Sequence, residues 1–270
     1  MPKMILSRSN DMIKKAVRLS SSAQYRTECG LYFLEGARLC ADAAYSGVII
    51  HTLLYTEHAA QKYQQYLRPV MEQAQEIYLV GPQAAKALSC TKTPQGIFCI
   101  CAMPPKTASE YNIAAPGAYL ALENLQDPAN MGTILRTAEA LGVSGIVLGG
   151  NCCDIYSPKV LRASMGAVFR LPFCIAEDLP DFLSGLNQCG FVTAAAVPDS
   201  NAQPITNIHS HQCVMVVGNE GNGLTQETRK ACSIEVTIPM LGRAESLNAS
   251  AAAAILIWEI MKNQAGGAAL

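Results

Sequence analysis

"VMVVGNEGNGLT", residues 214–225, runs a stretch of apolar residues straight into Gly218-Asn219-Glu220-Gly221-Asn222-Gly223. An apolar run this short, closed by glycines, reads as a strand buried on both faces that ends in a ligand loop. Two familiar nucleotide loops fail on spacing. The order is G-x-x-G-x-G where a dinucleotide fingerprint needs G-x-G-x-x-G, and no lysine follows as a phosphate loop requires. The glycines keep their physical meaning, because residues without a Cβ permit positive φ and close approach of a ligand to the backbone. An ordinary glycine turn would use the same residues.

Working outward, the same kind of strand recurs as "AYLALE" (118–123), "GIVLGG" (145–150), "FVTAAAV" (191–197) and "IEVTIPM" (234–240). Helical patterns lie between. "NMGTILRTAEALG" sets Met131, Ile134, Leu135, Ala138 and Leu141 on one stripe, with Asn130 as its expected cap and Gly142 as its stop. Ser157-Pro158 opens another helix, Asp178 to Gln188 a third, and "LNASAAAAILIWEIMKN" forms a last one that is apolar nearly all round. The economical fold is α/β, a parallel sheet with helices on both faces. Upstream, "LYFLEGARLCADAAYSG" predicts a strand and a helix stopped at Gly47, and "HTLLYTEH", "QEIYLVG" and "GIFCICAM" predict further strands. The proline pair and small residues of 102–119 read as a linker. The division that follows is a small α/β domain over 1–104, a linker over 105–116 and a larger domain over 117–270.

The chain has 270 residues and a net charge of −1, but the charge is unevenly spread. Residues 1–105 carry 11 Lys/Arg against 7 Asp/Glu, and residues 106–270 carry 9 against 14. Six basic residues (Lys3, Arg8, Lys14, Lys15, Arg18, Arg26) against Asp11 fall within the first 26, a balance suited to a polyanion and also to a solvated helix face. No apolar run approaches the roughly 18 residues of a membrane span, and the start lacks a secretory pattern, so a cytoplasmic protein with no membrane partner is expected. Eleven cysteines without any C-x-x-C, mostly in apolar stretches, read as reduced thiols, and four scattered histidines offer no pairing, so no metal is expected.

Ligands of such sheets gather at the carboxyl ends of strands. Three polar loops lie there: "ENLQDPANMGTILRTAEALG" (123–142), the opening stretch, and "IPMLGRAESLNASAAAA" (238–254). Asn130, Gly132 and Arg136-Thr137-Ala138, then Gly218, Glu220, Gly221 and Gly223, then Ile238-Pro239-Met240 and Ser246-Leu247-Asn248-Ala249-Ser250, stand in the order of three motifs. In these blocks the chain resembles the SpoU family of ribose 2'-O-methyltransferases within the SPOUT superfamily. "YFLEGARLCADAA" and "TPQGIFCIC" are similar to the ends of the family's small substrate-binding domain, which resembles a ribosomal protein fold.

The resemblance implies a deep C-terminal trefoil knot that holds S-adenosylmethionine, with Gly218, Ile238 and Leu247 as cofactor contacts and Asn219, Gly223 and Met240 beside them. It implies Asn130, Arg136, Glu220, Ser246 and Asn248 as the polar active-site positions. It also implies a homodimer and an RNA substrate, ribosomal RNA in preference to transfer RNA, gripped by the basic first domain through Lys14, Lys15 and Arg18. Taken singly, the residues have ordinary readings: Arg136 as a helix arginine paired with Glu139 or Glu123, Glu220 and Ser246 as turn residues, Asn248 as a helix cap. A non-catalytic RNA-binding protein on the same fold is the competing reading.

Overall fold

The computed structural model describes residues 2–104, 115–208, 210 and 212–262. They form two units, one of Met1–Pro105 with Asp154–Phe169, the other of Lys106–Cys153 with Arg170–Leu270.

The first unit begins with β1 (Lys3–Ile5) and α1 (Asp11–Ser21), whose start is capped by Asn10 accepting from the Met12 N–H. Ile13, Ala16 and Leu19, spaced three apart, turn one face of α1 into the core. There follow α2 (Ala23–Cys29), β2 (Leu31–Glu35), α3 (Ala37–Tyr45), β3 (Ile50–Tyr55), α4 (Glu57–Lys62), α5 (Gln64–Gln73), β4 (Glu76–Val80), α6 (Pro82–Leu88) and β5 (Ile97–Ala102). The five strands form one mixed sheet in the order β1-β4-β3-β5-β2. Ile13, Leu19, Phe33, Leu54, Leu88, Phe98 and Ile100 fill its core. Gly47 adopts φ +74° two residues beyond α3, the left-handed turn that a helix stop needs.

The second unit carries β6 (Ala118–Glu123), α7 (Pro128–Ala140) and β7 (Gly145–Gly149). The chain then contributes α8 (Pro158–Ser164), capped by Ser157, to the first unit. It returns with β8 (Phe173–Ala176), α9 (Leu179–Gln188), β9 (Val192–Ala196), β10 (Gln203–Pro204), β11 (Cys213–Val217), α10 (Gln226–Ala231), β12 (Ile234–Thr237) and α11 (Ala249–Met261). Seven strands lie in the order β10-β12-β9-β11-β6-β7-β8, and every neighbouring pair is parallel. β11 is flanked by β9 and β6, with Val214 opposite Tyr119 and Val217 opposite Leu122, which is why all five of its residues are buried. Burying each such valine contributes about 1.5–3 kcal/mol. All strands run the same way, so the loops after β6, β11 and β12 leave one edge of the sheet.

Two expectations are corrected. Asn130 does not cap α7: Asp127 does, its carboxylate accepting from the Ala129 N–H at 2.7 Å, with Pro128 at the first helical position. An Asp-Pro pair outcompetes an asparagine three residues later because proline presets the helical φ and has no N–H to satisfy. Asp154–Phe169, within 117–270, groups with the first unit. Asp154 meets buried Arg26 at 2.6 Å, and Tyr156 stacks on Tyr32 with ring centroids 4.6 Å apart. Second, Arg26 therefore belongs to the interior rather than to a basic surface. It also donates to the Leu19 carbonyl at 2.6 Å. Most of the linker read over 105–116 lies outside the described residues.

Candidate functional site

Asn248 caps α11, its Oδ1 accepting from the Ser250 and Ala251 N–H groups at 2.9 and 3.3 Å. That commitment turns its amide nitrogen outward, and Nδ2 donates to Asn130 Oδ1 at 3.1 Å. Asn130 sits buried in the first turn of α7, and its own Nδ2 must then point the other way, donating to Glu220 Oε1 at 3.2 Å. Glu220 also accepts from the backbone N–H groups of Asp127 at 3.0 Å and Gln126 at 3.2 Å. Three loops distant in sequence are thereby joined by one directional relay of hydrogen bonds.

The relay biases the charge of Glu220. Burial pushes its carboxyl up, but the N–H groups of Asp127, of Glu220 itself and of Gln126, with the Asn130 amide, favour the ionised form and hold it below the usual carboxylate range.

The loop after β11 is closed on itself. Asn219 and Gly223 exchange two backbone hydrogen bonds of 3.0 Å, and Gly223 adopts φ +66°. A Cβ on Gly218 would lie 2.3 Å from the Gly223 carbonyl carbon and 2.5 Å from the Leu224 nitrogen. Gly218 is thus required first by the loop's own backbone, a role in addition to the ligand approach read from the sequence. Asn219 works on both sides of the loop: Oδ1 accepts from the Gly221 and Asn222 N–H groups within it, and Nδ2 donates to the Asn124 carbonyl outside it at 2.8 Å.

Arg136 is exposed on α7, six residues and so about 9 Å along the axis beyond Asn130. Its ordinary partners are taken. Glu139 pairs with Arg170 at 2.7 Å, and buried Glu123 faces threonines instead. No described residue forms an ion pair with Arg136. Ser246 is exposed between β12 and α11. Ile238 and Met240 are half-buried past the end of β12, and Leu247 is 38% exposed. These apolar side chains, with backbone polar groups of strand-end loops, suit a ligand that joins a nucleoside to an amino-acid chain through sulfur, as S-adenosylmethionine does.

The structure thus brings Asn130, Glu220 and Asn248 into direct contact and leaves Arg136 and Ser246 free of one another's hydrogen bonds. Sequence reading missed Asn124 and Asp127. Asn124 adopts φ 54° and accepts from the Asn151 N–H at 2.8 Å, steering β6 into the site. An asparagine directly after a strand was the available signal, since Asn tolerates the left-handed region.

In the first unit, Lys14 and Arg18 lie exposed one turn apart on α1, and Lys15 is half-buried. Lys14 meets Asp11 at 3.3 Å, and Arg18 lies 4.0 Å over the Tyr25 ring. Among the described residues no cluster of His, Cys, Asp and Glu could hold a metal ion, and no helix is long and apolar enough to cross a membrane.

Comparison with known proteins adds sequence and structural relatives. Residues 117–258 match the SpoU rRNA Methylase family, and residues 10–99 match the MRM3-like substrate binding domain. The Bacillus subtilis 23S rRNA (guanosine(2553)-2'-O)-methyltransferase RlmP is 30% identical over 259 residues, covering 96% of this chain and 99% of its own. The 23S rRNA (uridine(2479)-2'-O)-methyltransferase of Streptomyces viridochromogenes is 26% identical, covering 90% and 86%. Among solved structures, an AdoMet-bound rRNA methyltransferase from Sinorhizobium meliloti superposes with a TM-score of 0.85 at 29% identity, covering 96% of this chain and 97% of its own.

Proposed function

The chain belongs to the SpoU rRNA methylase family, and from that premise we propose that it transfers a methyl group from S-adenosylmethionine to a ribose 2'-hydroxyl in a structured loop of large-subunit ribosomal RNA. The observation that carries the reading is the Asn248–Asn130–Glu220 relay, which links all three motifs at one sheet edge. An RNA loop rather than a duplex is the target, because sequence-specific RNA recognition depends on splayed bases. The two 23S rRNA 2'-O-methyltransferases among the relatives support ribosomal over transfer RNA.

When bound, S-adenosylmethionine supplies a methyl group activated on a sulfonium. The chain's own residues then need to hold the ribose in line and stabilise its oxygen as its proton passes to solvent water and an O–CH3 bond replaces the S–CH3 bond. A guanidinium stays protonated in proteins, so Arg136 binds the RNA phosphate and stabilises the developing alkoxide by a charge-assisted hydrogen bond. Glu220, Asn130 and Asn248 hold the loops around that oxygen in register, and Ser246 adds a hydroxyl at the mouth of α11. Gly218, Asn219, Gly223, Ile238, Met240 and Leu247 line the cofactor, inside a trefoil knot of the C-terminal segments.

Residues 1–104 grip RNA through Lys14, Lys15 and Arg18, and residues 117–270 carry the chemistry in the cytoplasm. Ile255 at 42% and Trp258 at 58% exposure leave apolar surface on α11, which supports a homodimer through that helix. Labelled S-adenosylmethionine offered to separate ribosomal and transfer RNA pools lacking the modification tests the substrate. Label in large-subunit ribosomal RNA is expected, and label in transfer RNA alone overturns this assignment.

A further inference from the structure

The glycine loop after β11 is docked on residues 124–127 by the Asn219 side chain at its entrance and by Glu220 in its middle. Its exit is held by a different group. Glu123, the last residue of β6, is 4% exposed and turns its carboxylate toward the start of α10. Oε2 accepts from the Thr225 N–H at 2.8 Å, Oε1 accepts from the Thr225 hydroxyl at 2.8 Å, and Oε1 also accepts from the Thr228 hydroxyl. Thr225 is the cap of α10, its own hydroxyl accepting from the Thr228 N–H at 3.2 Å.

We propose that Glu123 is a positioning residue for the cofactor loop, tethering Thr225 so that the turn from Gly218 to Leu224 closes in the conformation that receives S-adenosylmethionine. The inference rests on the functional reading above. A buried carboxylate is costly unless its oxygens are hydrogen-bonded. Here the hydrogen bonds come from uncharged donors of one segment, the one directly after the loop, so the stabilisation Glu123 provides is delivered to that segment. Four residues of the stretch 123–127, at the end of β6 and just after it, thus hold the loop at three points: Glu123 at Thr225, Asn124 at Asn219, and Gln126 with Asp127 at Glu220. With one tether cut, the closed loop is populated for only part of the time, and the apparent dissociation constant rises by the inverse of that fraction.

The test is S-adenosylmethionine binding by titration calorimetry on the full chain, well below the melting temperature, beside a thermal melt. Glu123→Ala removes every tether at Thr225 and is expected to raise the dissociation constant on the order of tenfold. Glu123→Gln can turn its amide oxygen to the Thr225 N–H and its NH2 to the two hydroxyls, and should restore most of the affinity. Thr225→Val keeps the N–H and the shape but removes one hydroxyl, and an intermediate loss is expected, which keeps the series readable if Glu123→Ala does not fold. Ile146→Ala opens the buried core at the far end of β7 from the loop and should lower the melt while leaving the binding constant unchanged. Binding by Glu123→Ala or Thr225→Val equal to that of the unmodified protein overturns the inference. So does an Ile146→Ala protein that loses as much affinity, or a Glu123→Gln protein that loses as much as Glu123→Ala. An unmodified protein that binds no S-adenosylmethionine overturns the cofactor reading itself.

Discussion

Asn248 and Asn130 meet amide to amide, Nδ2 of one donating to Oδ1 of the other at 3.1 Å, while Asn248 Oδ1 caps α11. The cap fixes the direction of the relay, and the relay ends on the carboxylate of Glu220. The cap and the relay are therefore separable at Asn248. Asn248→Ala removes the cap and should cost about 1 kcal/mol in denaturant unfolding. Asn248→Asp keeps the cap but has no N–H for Asn130. It should keep the capping contribution, lose about 1–3 kcal/mol for the orphaned Asn130 oxygen, and lose roughly tenfold in methyl transfer, the equivalent of one hydrogen bond of about 1.4 kcal/mol. Activity of Asn248→Asp equal to that of the unmodified protein would separate the relay from the chemistry.

Arg136 is exposed, and its neighbouring carboxylates are committed elsewhere. Arg136→Ala should leave stability within about 0.5 kcal/mol, as a surface substitution does. Methyl transfer should fall by about 10² to 10³, the scale for removing a group that stabilises developing charge. Arg136→Lys should recover only part of that, because an ammonium lacks the planar fork. Turnover of Arg136→Ala close to that of the unmodified protein would contradict its role.

The carboxyl of Glu220 is held below its ordinary value by surrounding N–H donors, which outweigh the upward push of burial. A folded value below the unfolded one means that the ionised group adds stability above the unfolded carboxylate range, about pH 4.3. That contribution is lost as pH falls through the folded value. Melting of the unmodified protein against Glu220→Gln should show a difference that is constant near neutral pH and closes on acidification. A difference that grew toward low pH would reverse the sign.

Neutralising Lys14, Lys15 and Arg18 together should weaken binding to ribosomal RNA and flatten its salt dependence. On a single strand the logarithmic slope should fall by about 0.7 for each phosphate that the protein no longer neutralises. Arg18 also lies over Tyr25, so a slope that did not change would assign the helix cations to local packing.

Much of this architecture was readable because buried parallel strands announce themselves as apolar runs. "AYLALE" is β6 to the residue, "GIVLGG" overruns β7 by one residue, and the apolar start of "VMVVGNEGNGLT" falls within β11. The edge strands were harder to read because they are short: β8 is apolar but only four residues long with Ile175 half exposed, and β10 is the pair Gln203–Pro204. Asn130, Glu220 and Asn248 were legible only as motif members. Their contacts span 90 and 118 residues, and no local periodicity reports on such pairs. The grouping of Asp154–Phe169 with the first unit rests likewise on a buried ion pair formed over 128 residues. Glu123 looked like the polar end of a strand because its threonine partners lie beyond the glycine loop.

The most direct measurement is nucleoside mass spectrometry of unmodified large-subunit ribosomal RNA after incubation with the protein and S-adenosylmethionine. A single new 2'-O-methylnucleoside, absent when Arg136→Ala is used, is the predicted result. Methyl groups on a base, or none in RNA that the protein binds, would contradict the account.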